Sequence, residues 1–119
     1  MFQLAIPLVH VSNSTAAADF YCNRLGFRRE FAHRVDDTKS DPGYAGWTRY
    51  GVWLHVSSFS GDGVSGGVVN LLVEDVDALH AELVAKGVPI DTGPVDQTWD
   101  TREMYVKDAD GNCIGFIER

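Results

Sequence analysis

Residues 99–118 read WDTREMYVKDADGNCIGFIE and predict two strands joined by a tight turn. The intervening segment, 108–112, has turn chemistry, because Asp side chains accept bonds from nearby backbone N–H groups and Gly111 tolerates a positive φ. Before the turn, Met104 and Val106 alternate with polar residues, which is typical of a strand with one buried face. The strand after the turn carries Gly115 in its middle, and this glycine bears directly on function.

This hairpin has a counterpart earlier in the chain. Two predicted strands, 44–50 and 52–57, flank Gly51, which precedes Gly111 by 60 residues. The helices before the two hairpins also correspond, because 11–27 matches 73–88 at an offset of about 61 residues. The chain is therefore predicted to contain two tandem β-α-β-β-β modules.

The remaining elements complete the modules. Helices are predicted after the N-cap residues Asn13 and Asp75 and end near Gly26 and Gly87. The other predictions are strands 4–11, 27–35, 68–73 and 88–91, a loop at 36–43, and a loop at Gly93-Pro94. The fold class expected is α+β, with a curved mixed sheet, helices on its outer face and a concave ligand cleft. One domain spans 1–119, with module one at about 1–60, a linker at 61–67 and module two at about 68–119.

Composition narrows the class of protein. The net charge of −7 argues against nucleic acid, because phosphate binding needs a basic face. The same charge favours either solubility alone or attraction of a cationic ligand. No apolar run approaches the ~20 residues of a membrane span, and no secretion signal follows Met1, so a cytoplasmic protein without a membrane partner is expected.

Several motifs, taken in order, carry a resemblance to a known family. They are Ala18-Asp19-Phe20-Tyr21, Arg24-Leu25-Gly26-Phe27, Val73-Glu74-Asp75-Val76-Asp77-Ala78-Leu79 and Asp108-Ala109-Asp110-Gly111-Asn112. The chain resembles the glyoxalase/bleomycin-resistance/extradiol-dioxygenase superfamily, also called vicinal oxygen chelate. Within it, Ala5-Ile6-Pro7-Leu8 and the segment from Gln97-Thr98-Trp99 to Cys113 resemble the bleomycin-resistance branch. That resemblance implies antibiotic binding and resistance by a homodimer that exchanges its first strand, with Pro7 as the hinge. The alternative for Pro7 is an ordinary edge-strand proline in a monomer.

The resemblance also implies where a metal would lie, because enzymes of this superfamily hold a divalent metal with His and Glu from four strands. Alignment on the motifs places Ile6, Val68 and Gly115 at three of these positions and Trp53 at or near the fourth. None of them offers a nitrogen or oxygen side-chain ligand, so no cofactor, metal or catalytic residue is expected. A displaced His10/His55/Glu103 site remains an alternative, and with it a metal-dependent lyase, isomerase or dioxygenase.

Strand alternation predicts which residues line the cleft. Trp53, His55 and Ser57 share one face of their strand, and an aromatic cleft suits a flat cationic ligand. The full set of predicted ligand-binding residues is Phe31, Trp47, Trp53, His55, Ser57, Phe59, Asp62, Asn70, Trp99, Cys113 and Gly115. Gly115 is expected to leave room for the ligand, and Asp62 to pair with a cationic tail. The predicted function is sequestration of a bleomycin-like or other cationic aromatic compound. A further alternative is a superfamily member whose ligand is unrelated to antibiotics.

Overall fold

The computed structural model describes residues 1–119 and divides them into two compact units, Met1–Ser65 and Gly66–Arg119. Each unit contains one four-stranded mixed sheet and a helical segment, which confirms the α+β class and the tandem modules. The strands form two four-stranded mixed sheets, one for each unit. No helix has the length and apolar character needed to cross a membrane.

Module one begins with a short strand and a capped helix. Asn13 Oδ1 accepts a hydrogen bond of 2.9 Å from Ala16 N, which satisfies an amide at the start of the helix as predicted. The elements are β1 (Leu8–His10), α1 (Ser14–Ala18) continued by a π-helical segment (Asp19–Arg24), β2 (Arg28–Arg34), β3 (Gly43–Arg49) and β4 (Val52–Ser57). The sheet order is β1-β4-β3-β2, with β1 parallel to β4 and the other pairs antiparallel.

Module two repeats this arrangement. Asp75 caps its helix by accepting a hydrogen bond of 3.0 Å from Ala78 N. The elements are β5 (Val68–Leu72), α2 (Val76–Ala85), β6 (Thr92–Asp96), β7 (Arg102–Lys107) and β8 (Cys113–Glu118), in the sheet order β5-β8-β7-β6. The parallel pair is β5 with β8, the counterpart of β1 with β4.

The turn between β7 and β8 is held by side-chain hydrogen bonds. Asp108 Oδ1 accepts from the backbone N of Asp110 and of Asn112, each at 2.9 Å, and Gly111 has φ of 79°. Asn112 Oδ1 in turn accepts from Gly66 N at 2.8 Å, which ties the turn to the start of β5. The hairpin predicted from residues 99–118 is confirmed.

Two predicted elements are wrong. Residues 88–91 form no strand, and β6 instead runs through Gly93 and Pro94, where a loop was expected. The pairing of β6 with β7 shifts register between Thr92 and Val95, and Gly93 has φ of 87°. A bulge of this kind admits a proline, which has no amide to donate to the ladder. At the other end of the chain, β1 covers only Leu8–His10 of the predicted strand 4–11.

Each sheet has two distinct faces. The helix face is covered by the helical segment of its own module, and its residues form the core: Val9, Tyr21, Leu25, Leu54 and Val56 in module one, and Val76, Leu83, Met104, Val106, Ile114 and Phe116 in module two. The opposite face of each sheet, called the open face here, has no helix of its own module on it. Burial on the helix face supplies the hydrophobic stabilisation, which leaves the open face available for side chains with other roles.

Candidate functional site

Aromatic side chains collect on the open face of module one. The register pairs His55 with Gly46, and Ser57 with Tyr44, so these four residues project from the same side of β3 and β4. Phe31 of β2 pairs with Gly46 and joins that side. The resulting aromatic platform consists of Phe31, His33, Tyr44, Trp53, His55 and Phe59.

The rings of the platform contact one another in regular geometries. Phe31 and Tyr44 are stacked with centroids 6.2 Å apart, and Phe31 meets the His55 ring edge-on at 5.4 Å. Trp53 also meets His55 edge-on, at 5.9 Å. These are favoured arrangements of aromatic pairs, so each ring restrains its neighbours. Phe31 nevertheless keeps 43% of its surface exposed and can accept another ring.

Gly46 allows Phe31 to lie flat on the sheet. A Cβ atom at Gly46 would overlap the Phe31 ring and would lie 2.7 Å from its Cζ atom, which is closer than carbon atoms pack. The glycine therefore supports the platform from beneath, because any larger residue would displace Phe31.

A polar group and a negative charge adjoin the rings. A hydrogen bond of 2.7 Å joins the Tyr44 hydroxyl to His55 Nδ1. Burial raises the pKa of Tyr44, and the Asp62 carboxylate raises it further, so this phenol stays neutral near neutral pH. Asp62 is thus close enough to act on the platform electrostatically and can attract a cationic group there.

Ser57 has a different role from the one predicted. Its side chain is fully buried, its Oγ donates to Asp62 Oδ2 at 2.7 Å, and the same Oγ accepts from Phe59 N at 3.1 Å. Ser57 is therefore unavailable to a ligand, and it fixes the segment that carries Phe59 and Asp62. Phe59 stacks on His33 with centroids 6.4 Å apart.

The placement predicted for Trp47 is wrong. Trp47 pairs with Leu54, a core residue, and its ring lies 5.5 Å from that of Tyr21 in the helical segment. Only 3% of its surface is exposed. Trp47 therefore lies on the helix face and is not part of the platform.

Module two presents one exposed ring, held by a buried carboxylate. Glu103 is 3% exposed and accepts hydrogen bonds from Trp99 Nε1 at 3.0 Å, Thr101 Oγ1 at 2.5 Å and the Tyr105 hydroxyl. Hydrogen bonds from Thr101 and Tyr105 hold the pKa of Glu103 below its usual range, and the hydrogen bond to Glu103 raises the pKa of Tyr105 to about 12. Trp99 keeps 63% of its surface exposed while its indole nitrogen is tethered.

The space expected beside Gly115 is filled. Gly115 pairs with Asn70 on one side and with Tyr105 on the other. A Cβ atom there would overlap Asn70 Oδ1 and would lie 2.8 Å from Tyr105 Cε1. The absence of a side chain at Gly115 thus lets the side chains of Asn70 and Tyr105 approach the strand closely, and they fill the space. The prediction that Gly115 leaves room for a ligand is therefore wrong. Cys113, on the same face of β8, is half-buried, and burial raises the pKa of its thiol.

The residues at the superfamily's metal positions do not fit a divalent cation. Ile6, Val68 and Trp53 offer no ligand atom, and Asn70 and Tyr105 occupy the space over Gly115. No three His, Cys, Asp or Glu side chains lie together in an arrangement that could hold a metal ion.

Sequence reasoning missed four residues of the two open-face clusters: His33, Tyr44, Thr101 and Tyr105. The position of Tyr44 could have been predicted from the two-residue turn at Tyr50-Gly51. Both residues of this turn have positive φ, 52° and 77°. Such a turn fixes the pairing of β3 with β4 and so places Tyr44 beside His55. No comparable signal in the sequence marks Thr101.

Comparison with known proteins agrees with this architecture. A family model described as "Glyoxalase superfamily protein" matches residues 1–119. The chain is 27% identical over 134 aligned positions to a bleomycin resistance protein from Geobacillus stearothermophilus, covering 97% of this chain and 96% of that protein.

Two solved structures from Streptomyces sp. CB03234 are similar. An antibiotic-binding protein superimposes with a TM-score of 0.78 at 27% identity, covering 99% of this chain and 96% of that one. A glyoxalase/bleomycin resistance protein gives a TM-score of 0.74 at 28% identity, covering 93% and 96%. Because the family match spans the whole chain, this protein belongs to the glyoxalase superfamily.

Proposed function

We propose that the protein binds and sequesters a cationic aromatic small molecule, of the bleomycin type or similar, without transforming it. The observation that carries the proposal is the aromatic platform of module one, with the exposed Phe31 ring and the Asp62 carboxylate beside it. Stacking of a flat ring on such a surface contributes about 0.5–1.5 kcal/mol beyond the area buried. The similarity to a bleomycin resistance protein and to an antibiotic-binding protein supports the same ligand class.

Charge favours a cation over a neutral ring. The net charge of −7 attracts cations over a distance, and Asp62 places one negative charge next to the rings. On module two, Trp99 offers a second exposed ring whose orientation is fixed by Glu103. A rigid aromatic side chain loses little entropy on binding, which makes both surfaces suitable for stacking.

Titration with metal-free bleomycin tests the function. We expect the tryptophan fluorescence to be quenched to saturation at about one ligand per subunit, because Trp53 belongs to the platform. A chloride salt at equal ionic strength is the control for a general electrolyte effect. Absence of saturable quenching, together with no thermal shift at high ligand concentration, would contradict binding of this ligand.

We further propose a homodimer in which the first strand is exchanged. Residues 1–6 are exposed and include the apolar side chains of Phe2 and Leu4, and Pro7 joins them to the edge strand β1. Apolar side chains of this kind are normally covered, and a second copy of the chain provides a matching edge. Pro7 lacks an amide and accepts through its carbonyl from His55 N at 3.0 Å, which suits the point where an exchanged segment departs.

Sedimentation velocity tests the exchange. Leu4→Asp places a charge where the partner would cover the side chain, so we expect the dimer dissociation constant to rise by at least about tenfold. Val64→Asp is the matched control, because Val64 is also apolar and exposed but lies outside residues 1–6. A monomeric wild-type protein, or an unchanged dimer in Leu4→Asp, would count against the exchange.

A further inference from the structure

A cleft on the helix face of module one plays no part in the proposed function. Its volume is about 270 Å³, and it lies between α1 and the strands β2 and β3. Ligand pockets for drug-sized molecules measure roughly 300–1,000 Å³, so this cleft suits a smaller molecule. It opens on the helix face, whereas the platform rings pack against one another on the other face of the same sheet. His33 and Tyr44 of the platform also contribute to the lining of the cleft.

The floor of the cleft is apolar and its rim is cationic. Ala45 and Trp47 of β3 and Val56 of β4 project from the helix face into the lining. Arg29 and Arg34 of β2 stand at the edge of the same cleft. In a chain of net charge −7, two arginines beside one apolar surface form a local exception to the overall charge.

Neither arginine is neutralised by an ion pair. Arg29 lies near the Cys22 side chain, and burial keeps the pKa of that thiol above its usual value, so the thiol carries no charge near neutral pH. The charge of Arg34 helps to lower the pKa of Asp41, but the hydrogen bonds to the Asp41 carboxylate come from Ser14 Oγ and Ser58 Oγ, each at 2.6 Å. By contrast Arg28, on the opposite side of β2, is paired with Glu30 at 2.9 Å.

A hydroxyl completes the set of donors. Ser40 Oγ lies in the lining and accepts from Thr15 Oγ1 at 3.2 Å, which leaves the Ser40 hydroxyl proton free to donate. Two guanidinium groups and a hydroxyl are donors that match a carboxylate, since arginine binds carboxylates through two parallel hydrogen bonds.

We propose that this cleft is a second binding site that takes a small organic carboxylate. Its apolar body would contact Trp47 and Ala45, and its carboxylate would bind Arg29 and Arg34. Inorganic phosphate offers a negative charge without an apolar body and is the competing ligand. The proposal does not depend on the open-face function, because the residues to which it gives a role on β2 and β3, namely Arg29, Arg34, Ala45 and Trp47, project from the other face.

The test uses benzoate as the probe and benzamide as its uncharged match. For this test the protein is labelled with fluorotryptophan. The fluorine NMR signal of Trp47 is assigned with a Trp47→Phe variant. We expect benzoate to shift this signal to saturation, with benzamide and phosphate at least about tenfold weaker. Benzamide or phosphate binding as well as benzoate would overturn the proposal, as would an unchanged Trp47 signal.

Substitution of the two arginines at the edge of the cleft provides a second test of the proposal. Arg29→Gln and Arg34→Gln should each weaken benzoate binding by about tenfold, while the matched control Arg28→Gln should change it by less than about twofold. All three side chains lie on the exposed strand β2, so we expect each variant to fold, and thermal unfolding is the measurement that checks it. Equal benzoate affinity in Arg29→Gln and Arg28→Gln would contradict the assignment.

Discussion

Replacing Phe31 with Ala is expected to weaken binding of bleomycin by at least about tenfold. Phe31 is the most exposed ring among those packed against His55, and it lies between Tyr44 and His55 on the bare backbone of Gly46. Its removal takes away the stacking surface and also frees the two neighbouring rings. Isothermal titration calorimetry on the wild type and the variant measures the change.

Phe20→Ala is the matched control for this prediction. Phe20 lies in the helical segment, where it packs edge-on against Tyr21 with centroids 5.0 Å apart. The same atoms are deleted in both variants, but Phe20 belongs to the opposite side of the module. Equal losses of affinity in the two variants would show that the effect comes from general destabilisation and would contradict the binding role of the platform.

Replacing Glu103 with Gln should lower the pKa of Tyr105 from about 12 to near its ordinary value of about 10. The hydrogen bond to the charged carboxylate is the main cause of the raised pKa, and a neutral amide supplies neither that charge nor an equally strong acceptor. The ultraviolet absorbance of tyrosinate, taken as the difference between each protein and its Tyr105→Phe counterpart, follows the titration. Glu74→Gln, which removes an exposed carboxylate of module two, is the control and should leave the pKa unchanged.

The same substitution should change stability on the acid side. The folded pKa of Glu103 lies below its usual value, so its ionised form stabilises the fold above that usual value, and this contribution is lost as the pH falls through the folded pKa. Glu103→Gln should therefore be less stable than the wild type near neutral pH, with the difference shrinking in acid. A constant difference at all pH values would contradict the role given to the charge.

The sequence was informative where local chemistry sets the structure. The turn at 108–112 could be predicted because Asp108 and Gly111 have side-chain and backbone preferences that act within five residues. The helix caps Asn13 and Asp75 are local in the same sense. Together with the offset of 60 residues, these signals predicted the modules correctly.

The candidate site was harder to predict because it depends on register and on side-chain contacts. Alternation along β3 alone could not say which face Trp47 occupies, and only the turn at Tyr50-Gly51 places it opposite Leu54. The space beside Gly115 depends on where Asn70 and Tyr105 direct their side chains across strands, which the sequence does not encode locally. The Gly93-Pro94 pair predicted a loop, whereas a bulge in β6 accommodates the proline.

Fluorine NMR of the fluorotryptophan-labelled protein during titration with metal-free bleomycin tests the central proposal most directly. The labels at Trp53 and Trp47 lie on opposite faces of one sheet and therefore distinguish the two surfaces. If the aromatic platform is the binding surface, the Trp53 signal shifts to saturation and the Trp47 signal stays in place. A Trp47 signal that moves while Trp53 does not, or two signals that both remain unchanged, would contradict it.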